Sequence, residues 1–286
     1  VHIEVELAKL MMQKAATLYD QGDHMGAGEA ANMAKYAAGE AGVRAVDQAV
    51  QTLGGNGLAS DGTQVGTPLQ VAATDDVFFA EALGSVAGRE AAAVGGNWSF
   101  APIIDIDFNW RNPITNVRTF GSDPRRVLEM GVAYVKAIQK EGVAASVKHF
   151  PGDGCDERDQ HLVTSINDLS CEDWDSTYGA ADKACIDAGA LTVMAGHIMQ
   201  PAYSRRLRPG IRDEEIMPAT LAPELLKDLL RGKLGFNGVV VTDASHMVGL
   251  TGFARRRDIL PMAIMAGCDL FLFFNDPDED FGWMMD

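Results

Sequence analysis

Five apolar runs constrain the fold of this chain more than any other feature: Trp98–Ile104, Val143–Val147, Leu191–Ala195, Val239–Thr242 and Leu270–Phe274. Each is continuously apolar rather than alternating, the pattern of a strand covered on both faces. Gly142, Gly189, Gly238 and Gly267 fall just before four of them. Between them lie helical stretches at Asp75–Ala93, Pro124–Glu141, Cys171–Ala188, Pro223–Leu234 and Ile259–Ala266. Each starts near an Asp, Ser or Pro, and several end near Gly, as capped helices do. Leu69–Ala73 is a weaker strand candidate. Repeated β–α alternation over this length predicts an α/β fold with a parallel sheet.

Two parallel architectures compete. An open, doubly wound sheet normally carries a Gly-rich turn after its first strand, and none follows a strand here. A (β/α)8 barrel gathers its chemistry at the C-terminal ends of its strands. Polar residues fall at those ends: Asp105 and Asp107, Lys148 and His149, His197, and Asp243. Four such ends favour one shared site on a barrel.

Ahead of the alternation the chain reads as helix from residue 3 to 53. Ile3, Leu7, Leu10, Met11, Ala15 and Leu18 make one apolar stripe at three- and four-residue spacing. Gln21-Gly22-Asp23 breaks it, and a second helical run from about Ala27 to Leu53 ends at Gly54-Gly55-Asn56-Gly57. The expected organisation is therefore an α-helical hairpin over 1–57 and a barrel over 58–286. Gly54–Gly57 follows a helix, so a helix stop fits it better than a phosphate cradle.

The 286 residues carry 24 Lys+Arg against 40 Asp+Glu, a net charge of -16. That surface argues against nucleic acid or an anionic membrane as partner and suits a neutral ligand. Cys155, Cys171, Cys185 and Cys268 form no CxxC pair, so free thiols are expected, with no metal and no cofactor implied. No run of about 18 apolar residues predicts a membrane helix. The chain opens on Val1 with no signal-peptide pattern, so it reads as a fragment, with a cytoplasmic location favoured.

The chemistry concentrates in Lys148-His149-Phe150-Pro151-Gly152-Asp153-Gly154, followed by Asp159-Gln160-His161. Asp243, after Val-Val-Val-Thr, is either a helix cap or a carboxylate nucleophile of the kind retaining glycosidases use. Asp159 can hold the His161 ring, choose its tautomer and make it a credible acid and base. Lys148 and His149 need an anion or hydroxyls, while the Arg118 fork suits vicinal hydroxyls or a carboxylate. Asp105 and Asp107 read as structural. His197 either lines a pocket or orients a neighbour.

These segments carry a family likeness. Phe100-Ala101-Pro102-Ile103-Ile104-Asp105-Ile106-Asp107, Arg118-Thr119-Phe120-Gly121, Lys148–Gly152, Met194–His197 and Gly235–Asp243 stand in the order and spacing of the N-terminal catalytic barrel of glycoside hydrolase family 3. From about residue 54 to 286 the chain resembles that family, and Asp159-x-His161 resembles its β-N-acetylhexosaminidase branch. The resemblance implies Asp243 as nucleophile, the Asp159–His161 pair as acid/base, and Arg118, Lys148 and His149 as the grip on the sugar. It also implies a carbohydrate substrate and a retaining mechanism. Phosphate could replace water in the second step, since a His that can be neutral repels an anion less than a carboxylate would. A β-glucosidase of the same family is the alternative.

Residues 1–57 resemble something else, the C-terminal helical domain of an acyl-CoA dehydrogenase. Ala30–Lys35 and Val46–Gly57 carry that likeness. The flavin-binding bulk and the catalytic glutamate of that family are lacking, so this segment implies at most a fragment without flavin activity. The stretch near Gly54 resembles both families, which implies a fusion there. The first one or two barrel strands are then missing, and weak or no activity is expected.

Overall fold

The computed structural model describes residues 2–35 and 65–285. Contacts divide the chain into two units, Val1–Ser60 and Asp61–Asp286. In the first, helix α1 spans His2–Asp20 and helix α2 spans 24–35, separated by a turn at Gly22. The expected extension of the second helix to Leu53, and its Gly54–Gly57 stop, lie outside the described residues.

The second unit is a curled parallel sheet with helices on its outer face. Its strands are β1 (Trp98–Ser99), β2 (Ala144–Phe150), β4 (Thr192–Ala195), β6 (Val239–Ala244) and β7 (Leu270–Leu272). They are hydrogen-bonded in the order β1-β2-β4-β6-β7. All four pairings are parallel. Every crossover therefore advances the sheet in the same direction. A doubly wound sheet reverses at a switch point, and a barrel does not. The described residues thus form part of a barrel wall, with five strands of the wall in place. Beyond β1 the chain stays beside β2 through a bridge between Ile103 and Lys148. Two short strands, β3 (Ser165–Ile166) and β5 (Ile198–Met199), pair separately.

The helices follow from their caps. Helix α3 (Pro68–Ala72) has a capping box, in which Thr67 accepts from the Gln70 amide and the Gln70 side chain accepts from Thr67. This corrects the strand expected at Leu69–Ala73: Pro68 at the first turn and the reciprocal cap outweigh a short apolar run. Asp76 caps α4 (Val77–Ala93), and Asp123 caps α5 (Pro124–Lys140) with Pro124 behind it. The single helix expected over Cys171–Ala188 is two, α6 (Cys171–Ser176) and α7 (Tyr178–Asp187), with a break at Thr177. Thr177 Oγ1 donates to the Asp173 carbonyl, which bends the chain away from helix. Helix α8 (Pro201–Leu207) starts on Gln200, whose side chain accepts from the Tyr203 amide. A π-type helix covers Glu224–Lys233, followed by α9 (Val248–Thr251), α10 (Arg256–Ala266) and α11 (Pro277–Met285).

The core lies between sheet and helices. Ala145 and Val147 of β2, Val193 and Ala195 of β4, and Val240 of β6 pack with Val127, Met130 and Ile138 of α5, Cys185 of α7 and Leu225 of the π-type helix. Alternation along β2 sends Ser146 and Lys148 to the opposite face, toward the barrel interior. The four cysteines are free thiols, as expected. Among the described residues no helix is long and apolar enough to cross a membrane.

Candidate active site

The strand ends converge as the sequence predicts, but with a division of labour it does not reveal. Asp105 is 1% exposed. Its Oδ2 lies 2.6 Å from His149 Nδ1, and its Oδ1 accepts from the main-chain N–H groups of His149 at 3.1 Å and Asp153 at 2.7 Å. Burial alone would raise the Asp105 pKa; attraction to His149 and these hydrogen bonds outweigh it and hold the group below its ordinary value. The reading of Asp105 as structural is thus too narrow. It fixes one ring nitrogen of His149 so that the other, Nε2, faces Asp243 Oδ2 at 3.8 Å. In the sequence Asp105 ends one expected strand and His149 the next; what brings them together is the bridge between Ile103 and Lys148, which keeps the chain beyond β1 beside β2. Asp107, by contrast, accepts from Thr115 Oγ1 at 2.6 Å and stays in the loop, as expected.

Asp243 sits at the end of β6 with its side chain 16% exposed. Burial acts to raise its pKa, yet attraction to His149, His197 and Lys148 prevails and brings it down to about 2. It is a carboxylate at any ordinary pH, the state a nucleophile needs. Its Oδ1 also accepts from the Ala244 N–H at 2.7 Å, but the next helix, α9, starts after Met247 with no side-chain cap, so the helix-cap reading of Asp243 does not hold.

Lys148 is 6% exposed. Burial, reinforced by repulsion from Arg118, lowers its pKa to about 8 despite Asp243 and Asp105. Arg118 follows Asn116 in a 3-10 turn and donates from Nη1 to the Ile114 carbonyl at 3.2 Å. Lys148, His149, Arg118 and Asp243 therefore form one electrostatic group. His197 resolves as an orienting residue. Its Nε2 lies 3.0 Å from the Ala244 carbonyl and its Nδ1 2.9 Å from Thr220 Oγ1. Burial lowers its pKa despite attraction from Asp243; Nε2 donates to the Ala244 carbonyl and steadies the backbone next to Asp243.

Asp159 and His161 form the expected pair: Asp159 Oδ1 lies 2.7 Å from His161 Nδ1 and also accepts the His161 N–H at 2.8 Å. The loop bearing them is tied to the segment after β6, where the Val248 N–H donates to the His161 carbonyl at 3.0 Å. The loop turns at Gly154, whose φ of +104° suits glycine and whose added Cβ would fall 2.0 Å from the Ile106 carbonyl. His161 remains half exposed, at 53% of its side chain, and makes no ion pair with Asp243. The structure places His161 on the loop after β2 and Asp243 at the end of β6, without contact between them. Among the described residues no cluster of His, Cys, Asp or Glu could hold a metal ion.

With this geometry in view, the glycosyl hydrolase family 3 N-terminal domain profile matches residues 12–281. The chain belongs to glycosyl hydrolase family 3. The match begins inside the segment likened above to an acyl-CoA dehydrogenase. Among family 3 relatives, a "Beta-N-acetylglucosaminidase/beta-glucosidase" from Cellulomonas fimi is 54% identical over 231 residues, 81% of this chain and 41% of that protein. "Beta-hexosaminidase A" of Pseudoalteromonas piscicida is 34% identical over 68% of this chain and 33% of that protein. Among solved structures, "Beta-glucoside phosphorylase BglX bound to 2FGlc" is 51% identical with a TM-score of 0.77, covering 79% of this chain and 40% of that one. A family 3 β-N-acetylglucosaminidase from Paenibacillus sp. is 32% identical, with a TM-score of 0.72 over 80% of this chain and 42% of that one. This family 3 chain thus spans well under half the length of these relatives.

Proposed function

We propose that this family 3 domain belongs to a retaining glycosidase acting on terminal β-linked N-acetylhexosamine. The observation that carries the reading is the pairing of an ionised, strand-end Asp243, at a pKa of about 2, with an Asp159–His161 pair on the adjoining loop. In the first step an Asp243 oxygen attacks the anomeric carbon. The bond to the leaving oxygen breaks, and His161 supplies that oxygen with a proton. In the second step His161 takes a proton from water, whose oxygen displaces Asp243 and restores the original configuration. Asp159 fixes the His161 tautomer. Lys148, His149 and Arg118 hold the hydroxyls. The relatives named as hexosaminidases support the sugar assignment; the C. fimi name, which includes beta-glucosidase, keeps a glucoside substrate as the alternative.

A second reading, phosphorolysis, is favoured by the likeness to a protein named as a beta-glucoside phosphorylase. Phosphate would then take the place of water, and an imidazole repels it less than a carboxylate would. Residues 1–57 are read, on their motifs, as a helical domain likened to an acyl-CoA dehydrogenase C-terminus.

Trapping with a 5-fluoro N-acetylglucosaminide and peptide mapping tests the mechanism. Label on Asp243 is expected, and label elsewhere refutes it. Release of sugar 1-phosphate in phosphate buffer separates the second reading from the first.

A further inference from the structure

The loop that carries Asp159 and His161 is held by a buried polar bridge that the two-step mechanism does not use. Asp153 is 2% exposed and Gln160 is 0% exposed. One Asp153 oxygen accepts from Asn112 Nδ2 at 2.8 Å and from the Gly154 N–H at 2.7 Å. The other accepts from Gln160 Nε2 at 3.3 Å. Gln160 in turn accepts the His197 N–H through its side-chain oxygen at 2.9 Å. Its carbonyl accepts the Gly249 N–H at 3.1 Å. Gln160 stands between Asp159 and His161 in sequence, and it alone of the three is fully buried. The Asp153 main chain closes the circuit: its N–H donates to Asp105, and its carbonyl accepts from the Tyr178 hydroxyl at 2.7 Å.

We infer that Asp153 and Gln160 are positioning residues that set the height and azimuth of the His161 ring above the strand ends. The inference rests on the proposed role of His161 as acid/base. The bridge runs from the strand end that presents His149 to the loop that presents His161, and from there to Gly249 and to His197, which bonds the carbonyl of Ala244, the residue after Asp243. It therefore links both sides of the reaction through hydrogen bonds rather than through apolar packing. Each end of the bridge matches its partner chemically. Burial and the neighbouring Asp105 charge push the Asp153 pKa up to about 7; in its ionised form the carboxylate only accepts, and it meets three donors, while the Gln160 amide donates to one side and accepts from the other. In Asp153→Asn the shape is kept, but an NH2 group faces a donor wherever it points. Gln160, with Asp159 and His161 on either side, is then released as a unit.

The test uses the full chain and the variants Asp153→Asn and Gln160→Ala. Two substrates are compared: an aryl glycoside with a poor leaving group, which needs the acid, and a dinitrophenyl glycoside, which leaves unprotonated. Both variants are expected to lose about 100-fold in kcat/KM on the first substrate, at the lower end of what a general acid supplies, and less than about 3-fold on the second. Equal losses on both would reduce the bridge to a structural support and overturn the inference. Amide hydrogen exchange over residues 154–164 provides a readout that needs no turnover. A roughly tenfold faster exchange in the variants is expected, and unchanged exchange overturns the inference. A wild-type chain inert toward both substrates, with the exchange difference intact, sinks the proposed function and leaves the bridge standing.

Discussion

Asp105→Asn isolates what the buried carboxylate contributes, because it changes charge and hydrogen-bonding pattern while barely changing volume. The native side chain accepts three hydrogen bonds, from His149 Nδ1 at 2.6 Å and from two main-chain N–H groups at 3.1 and 2.7 Å. The amide retains one acceptor oxygen, so at least one buried donor loses its charged partner. Hydrogen bonds to charged groups contribute about 1.5–3 kcal/mol, and orphaning a buried polar group costs about 1–3 kcal/mol. The expected loss is about 3 kcal/mol, since both oxygens are engaged and the site is 1% exposed. At about 2–4 °C per kcal/mol for a domain of this size, Tm falls by about 6–12 °C. Circular dichroism melts at pH 7 measure this, with Asp107→Asn as the control, because Asp107 is half-buried and accepts a single side-chain bond from Thr115. The sign with pH is fixed as well. The Asp105 pKa lies below 3.8 in the folded protein, so its contribution is complete above that value and lost as pH falls through the folded pKa. The gap between wild type and variant must therefore narrow in acid. A variant that melts within about 2 °C of wild type at neutral pH would refute the reasoning.

Asp243, lowered from 3.8 to about 2, contributes about 2 kcal/mol above pH 4; urea midpoints should fall between pH 4 and 2, and Asp243→Asn should flatten that slope. Lys148 loses its proton near pH 8, so the apparent KM for an aryl glycoside should rise above that pH, and a flat KM from pH 7 to 9 contradicts the proposed grip. An added Cβ at Gly249 would fall 2.3 Å from the Gln160 carbonyl. Gly249→Ala should therefore destabilise the chain by about 1–3 kcal/mol in urea titration through overpacking, and an unshifted midpoint excludes the close approach.

β2 and β4 were legible because both their faces are covered, which leaves continuous apolar runs, and β7 keeps such a run although Leu270 is exposed. The site was legible because polar residues at the ends of such runs have few structural reasons to be there. Leu69–Ala73 failed because a five-residue apolar run has no readable period, and Thr67-Pro68-x-Gln70, a start signal, was the better evidence. The pairs Ser165–Ile166 and Ile198–Met199 are two residues long, too short for any pattern. The break at Thr177 depends on a side-chain bond to the backbone, which competes with the helix only in three dimensions. Asp105 was visible as a residue but not as a partner, since its role depends on register between strands 44 positions apart in sequence.

The strand order β1-β2-β4-β6-β7 follows the order of the chain itself. Each strand can dock on a neighbour that has already left the ribosome, so the wall can grow vectorially without waiting for a distant partner. Asp105 and His149 are joined early in that growth, and Asp243 arrives only with a later strand. A nascent chain would thus own the proposed sugar-gripping half before the proposed attacking group, which comes only once most of the wall is built.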